Sequence, residues 1–200
     1  MPRQTKLTQD EILDRLIQKI RTDGMQWISM RNAAAACGCS TQPIVSQFQT
    51  IQNLKDQLWK KADELQTEAL MNIDPDSEEE ILFQIGLNYV RFAQDEPQLF
   101  RLIFESGWAR PAPLSEMISV AELEPVLLLF EEESGLNRSD TRILFTDLSM
   151  FLHGYASMIA SGMFSLDETY LRESLELMFA ALTEELKRKG ASALLHNESE

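Results

Sequence analysis

Cysteine is nearly absent from this chain. It has two, Cys37 and Cys39, too close for an ordinary structural disulfide and too few for a zinc site. Thiols without a disulfide framework suit a reducing compartment, so a cytoplasmic protein is expected. Histidine is as scarce, with His153 and His196 alone, and no metal site is expected. Glycine and proline are few and fall mostly between helix-like segments. No window approaches about 20 uninterrupted apolar residues, so no membrane span is expected. The first ten residues lack the apolar core of a secretory signal. The chain also lacks a supported Ser-His-Asp arrangement, a glycine-rich phosphate loop and an HExxH motif, so neither an enzyme nor a cofactor is expected. No segment alternates with period two, which excludes the usual half-buried strand. The fold class read from this is all-α.

What is present is a chain rich enough in apolar residues to bury a core, at 44%, and acidic overall, at −14. The charge is uneven. Residues 1–55 carry seven basic and four acidic side chains, a balance of +3, and the remaining residues carry 11 and 28, a balance of −17. A weakly basic head on an acidic body suits a polyanion-binding module. An acidic body that simply keeps the protein soluble is the other reading.

Helical periodicity runs through most of the chain. Residues 8–23 read as a first helix, with a Thr8/Glu11 capping box and Ile12, Leu13, Leu16, Ile17 and Ile20 on one stripe. Gly24 closes it. Ser29–Phe48 reads as two short helices joined at Gly38. Ser29 and Ser40 are the expected caps, Pro43 falls in the first turn of the second helix, and Ile44, Val45 and Phe48 face inward. Ala34, Gly38 and Ile44 meet the steric needs of a helix-turn-helix: a small residue at the crossing, a glycine at the turn and a branched anchor. A long helix follows over Ile51–Met71, burying Ile51, Leu54, Leu58, Trp59, Ala62 and Leu65. The body begins with a helix from Asp76 or Ser77 to Gln94, with Glu78–Glu80 in its first turn. Then come Pro97–Phe104, a loop over Gly107–Pro113, and a helix over 115–134. That helix has a possible interruption at Glu124-Pro125 and deep burial of Val126–Phe130. Two long helices, Asp140–Ser161 and Asp167–Lys189, are apolar on wide faces and suit a bundle with their copies in a second subunit. The tail after Lys189 is expected to fray.

In order and spacing, the whole chain resembles a TetR-family transcriptional regulator. The resemblance is carried by Gly24, Ala34, Gly38, Ser40, Phe48 and Leu54 in the head. In the body it is carried by YVRFAQDEPQLFRLIF (Tyr89–Phe104) and LHGYASMIASG (Leu152–Gly162). It implies a three-helix DNA-binding head over residues 1–54 and an effector-binding and dimerisation body over 55–200. It implies a homodimer, formed through the last two long helices, that answers a ligand and binds a pseudo-palindromic operator in double-stranded DNA, most often as a repressor. Relatives carry a Tyr and a Lys that touch DNA phosphates where this chain has Val45 and Ile51, and a His where it has Gln47. One phosphate cation fewer per subunit removes about two charges per dimer from the counterion-release effect. A TetR-like interaction protein, with a head that meets another protein instead of DNA, is therefore a second reading.

Candidate site residues follow from these placements. Ser29 and Arg31 can hold phosphates at the start of the first hairpin helix. Ser40, Thr41, Gln42, Pro43, Ser46 and Gln47 belong to the second, where Gln can pair with adenine and Ser or Thr can reach phosphate. In the body, Phe104, Trp108, Met150, His153 and Met158 are candidate contacts for a small apolar effector. Such residues at helical spacing are also what a plain core contains. Cys37 and Cys39 read as core and post-turn filler, or as a redox or soft-metal switch.

Overall fold

The computed structural model describes residues 7–109 and 123–197, with side chains to residue 190. The described residues form nine α-helices and no strand. They are α1 (Gln9–Asp23), α2 (Met30–Ala36), α3 (Thr41–Phe48), α4 (Ile51–Leu70), α5 (Ile81–Asp95), α6 (Pro97–Phe104), α7 (Glu124–Ser134), α8 (Arg138–Ala160) and α9 (Glu168–Asn197).

The head follows local chemistry closely. Thr8 and Glu11 form the expected capping box, and α1 buries all five residues of its stripe. Ser29 caps α2 by accepting from the Asn32 N–H. Gly38 takes φ +66°, and the chain closes α2 with the Cys39 N–H on the Ala34 carbonyl and the Gly38 N–H on the Ala35 carbonyl. This paired closure needs a left-handed residue after the cap, and glycine adopts it without a Cβ clash. Ala34, Ile44 and Phe48 are buried as the hairpin requires. Two expectations fail. Ser40 precedes α3 but makes no side-chain cap. Val45 is 48% exposed, because it lies about 100° around the helix from Ile44 and cannot share its inward face. The link to α4 is a γ-turn at Gln49 (φ 62°, ψ −51°), closed by a 2.6 Å hydrogen bond from the Thr50 N–H to the Phe48 carbonyl.

In α4 the buried stripe is Leu54, Leu58, Ala62 and Gln66. Ile51 is exposed instead, at the first position of the helix. The expected start of α5 is also displaced. Asp74 Oδ1 accepts from the Asp76 N–H and Ser77 Oγ from the Glu79 N–H. These local bonds compete with helix formation, so α5 begins at Ile81 and Glu78–Glu80 precede it.

Pro125 falls in the first turn of α7, where its missing N–H costs nothing. The interruption expected there is a helix start. The first part of the expected 115–134 helix and the end of the Gly107–Pro113 loop lie outside the described residues. Leu127 and Phe130 are buried but Leu128 is exposed, so the Val126–Phe130 run is not deeply buried throughout. α8 is capped by Asn137, which accepts from the Ser139 and Asp140 N–H groups. α9 extends past Lys189 to Asn197.

One core joins head and body. It runs from Ile12 and Ile20 of α1 through Leu58 of α4 and Phe100 of α6 to Tyr155 of α8. A smaller core gathers Phe130, Leu136, Leu144, Leu148 and Leu186. Of the described helices, only α8 is long and apolar enough to cross a membrane by length and composition. It carries Asp140, Arg142 and Asp147, and it packs one side into these cores, as a central bundle helix does.

Candidate nucleic-acid interface and effector cavity

α3 is held by Ile44 and Phe48, which leaves Ser40, Thr41, Gln42, Val45 and Ser46 exposed on its outer side, with Pro43 half-buried. Arg31 is exposed beside them on α2, and Ser29 is occupied as the α2 cap. Gln47 does not project outward. Its side-chain amide donates to the Leu7 carbonyl at 2.8 Å and ties α3 to the start of α1. The head's basic residues are largely engaged within the protein. Arg15 donates to the Cys37 carbonyl, Lys19 pairs with Asp23 and lies over Trp27, and Arg21 pairs with Glu96 of the body. Among the described head residues, Arg31 remains as an exposed cation with neither an ion pair nor a hydrogen bond. Burial pushes the Cys37 thiol above its ordinary value, with Cys39 adding to the shift. That opposes thiolate formation and fits Cys37 as a core residue.

α6 is the contact between head and body. Its preceding Glu96 pairs with Arg21 at 3.0 Å. Gln98 sits so near Gly24 that a Cβ there would be 3.2 Å from its side-chain oxygen. The Trp59 indole of α4 donates to the Ile103 carbonyl at 2.9 Å. Arg101 donates to the Ala160 carbonyl at 2.6 Å, closing the C-terminus of α8. The first head helix, the linking helix α4 and the central body helix are thus tied to one short element.

The five effector candidates fall in three places. Phe104 and His153 join Tyr89 and Phe100 in an aromatic cluster, with the Phe100 and His153 rings stacked at 5.6 Å. The Tyr89 hydroxyl lies 2.9 Å from His153 Nδ1. Burial keeps Tyr89 protonated and lowers the His153 imidazole, against a weaker opposite pull from Glu105. A neutral imidazole accepting from the tyrosine O–H fits both shifts. Met150 and Met158 line an open groove of about 980 Å³ along α8 with Phe151, Tyr155, Phe164 and Tyr170. Trp108 stands at the head–body junction, under the Lys55 ammonium at 5.1 Å.

None of the five lines the more enclosed cavity of the body, of about 240 Å³, between α5, α7, α8 and α9. Its walls are Leu82, Phe83, Phe130, Leu148, Leu152, Leu175 and Phe179, and its rim is Glu80, Glu133 and Glu176. Apolar walls with a few converging polar groups suit a small ligand better than an open groove, which leaves much of an occupant in water. Sequence reasoning missed this set because its only signal is apolar residues at helical spacing, the same signal as packed core. Among the described residues, no group of His, Cys, Asp or Glu is arranged to hold a metal ion.

The family model described as the tetracyclin repressor-like C-terminal domain matches residues 82–182. No curated protein matches the sequence. Solved structures share the fold at low identity. A TetR-family regulator from Vibrio parahaemolyticus is 19% identical with a TM-score of 0.61, covering 86% of this chain and 97% of that one. Apo ActR from Streptomyces coelicolor is 18% identical with a TM-score of 0.60, covering 94% and 100%. A single-substitution variant of TetR from Acinetobacter baumannii, solved in complex with minocycline, is 14% identical with a TM-score of 0.60, covering 92% and 98%.

Proposed function

Because the chain belongs to the TetR family of transcriptional regulators, we propose that it is a cytoplasmic, ligand-responsive repressor that binds a pseudo-palindromic operator as a homodimer. The observation that carries this reading is α3. Buried Ile44 and Phe48 hold it rigidly, and exposed Thr41, Gln42 and Ser46 form a face suited to the major groove. In this reading Arg31 and Ser29 contact phosphate, Ser40 and Pro43 border the groove, and Gln47 acts by positioning α3. The head is residues 1–54 and the body 55–200, with α4 crossing the boundary.

Dimerisation would use α8 and α9. Their surfaces carry Ile143, Met150, Met158 and Leu177, all substantially exposed in the single chain. An apolar face of this kind is normally covered by a partner. A small apolar effector would enter the enclosed body cavity, between the helices that α6 connects to the head. Its binding would favour a dimer geometry in which the two heads no longer match successive major grooves. The solved relative in complex with minocycline supports a small-molecule effector.

Selection of bound sequences from random duplex DNA, followed by salt titration of the winner, tests the reading. A palindromic site bound with a salt-dependent affinity is expected. Failure to enrich any sequence at low salt would sink it and favour a protein partner for the head.

A further inference from the structure

The body cavity has an unusual distribution of charge. Its walls are apolar, yet the three charged residues on its rim are all acidic, and no basic residue lines it. Glu176 has a partner, since Arg172 lies 3.8 Å away and also pairs with Glu79. Glu80 and Glu133 form no ion pair with a basic side chain among the described residues. Glu80 stands at the N-cap of α5 and makes no side-chain cap there, and Glu133 lies in the last turn of α7. They lie close enough that, after burial, the Glu80 charge and then a side-chain hydrogen bond to Glu80 raise the Glu133 carboxyl, while Arg172 feels the Glu80 charge more weakly than those of Glu79 and Glu176. Two carboxylates held near each other at the mouth of an apolar chamber repel one another. Glu80 and Glu133 are both exposed at this mouth, and a cation between them would relieve that repulsion.

The wall chemistry agrees. The chain already places one cation on an aromatic face there, with the Arg172 guanidinium carbon 3.8 Å from the centre of the Phe83 ring. Phe130 and Phe179 present further rings, 6.0 Å apart. Aromatic faces attract a desolvated cation, and recognition of quaternary ammonium groups uses this attraction. A neutral apolar molecule would use the walls and leave the carboxylate pair as it is. An anion would be repelled by it.

We propose that the effector of this regulator is a lipophilic cation, with its charged group at Glu80 and Glu133 and its apolar part against Phe130, Leu148 and Phe179. This rests on the reading that the body cavity is the effector site. It narrows the apolar effector of that reading to one carrying a positive charge.

Calorimetric titration of the full chain with three probes of matched shape separates the possibilities. The probes are 4-phenylbutyltrimethylammonium, 4-phenylbutan-1-ol and 4-phenylbutanoate. The ammonium probe is expected to bind about tenfold or more tighter than the alcohol, and the carboxylate more weakly than both. In the Glu80→Gln/Glu133→Gln variant the preference for the cation should fall to within about twofold. Leu148→Trp, which fills the cavity, should abolish binding of the cation while the circular dichroism of the fold persists. Equal binding of alcohol and ammonium would overturn the charge assignment and leave the cavity as an apolar effector site. Cation binding that survives Leu148→Trp would place the site elsewhere and overturn the proposal. No binding of any probe would overturn both the charge assignment and the cavity as the effector site. The DNA-binding reading has its own test in the operator selection.

Discussion

Val45 and Ile51 show what single residues decide in the head. Both are exposed, at 48% and 37%, at positions where relatives carry a Tyr and a Lys that meet phosphate. Their effect is to leave Arg31 as the exposed cation with neither an ion pair nor a hydrogen bond among the described head residues. If the head binds DNA, Val45→Tyr with Ile51→Lys should tighten binding. The plot of log affinity against log salt should steepen by about two per dimer, measured by fluorescence anisotropy. Arg31→Ala should flatten the same plot by a similar amount. Gln49 carries a different residue-scale cost. Its γ-turn conformation is strained for any residue with a Cβ. Gln49→Gly should raise unfolding stability by about 1 kcal/mol in urea titration. An unchanged midpoint would mean the turn is not strained.

At the scale of elements, α6 is the joint. It is two turns long, yet its ties reach α1, α4 and α8. Trp59→Phe keeps the ring and removes one of these ties, leaving the Ile103 carbonyl without its donor. Stability should fall by about 1 kcal/mol, and effector should then shift operator affinity less than in the parent chain. The α5–α8 contact adds a pH dependence. Desolvation lowers the folded-state affinity of His153 for a proton. The unfolded chain therefore binds more protons, and stability rises with pH. The contribution is full above the unfolded value, near 6.5, and is lost as pH falls through that value toward the lower folded one. Melting temperature should drop between about pH 7.5 and about pH 5.5, and His153→Gln should remove part of that drop. The boundaries of these helices are legible in the sequence wherever the signal is local. The capping box of α1 and the glycine closing α2 are of this kind. The start of α5 is not, because Asp74 and Ser77 use their side chains in local turns, and the same residue types also serve as caps.

For the whole molecule, the apolar surface of α8 and α9 is the feature a single chain leaves unmet. Met150 and Leu177 are 57% and 71% exposed, which is costly for a monomer in water. Leu177→Glu, or Met150→Glu, places a charge on that face. If the face is the dimer contact, light scattering after gel filtration should show a shift from dimer toward monomer. Operator binding should then weaken, because one head alone spans a single half-site. A dimer unaffected by both substitutions would move the interface to another face.

The sequence alone determined the all-helical class, the helix-turn-helix of the head and the stripes that bury Ile12, Ile44, Leu58 and Leu148. These rest on periodicity, capping and a glycine turn, which act over a few residues and can be read in line. Only tertiary structure decided that Gln47 bonds back to Leu7 and that Val45 faces outward. It also separated Phe104 and His153 from Met150 and Met158, and gathered Glu80, Glu133 and Glu176 at one cavity mouth. These depend on helices distant in sequence meeting at a particular rotation. An apolar residue at helical spacing gives the same signal whether it packs against a neighbour or lines a space.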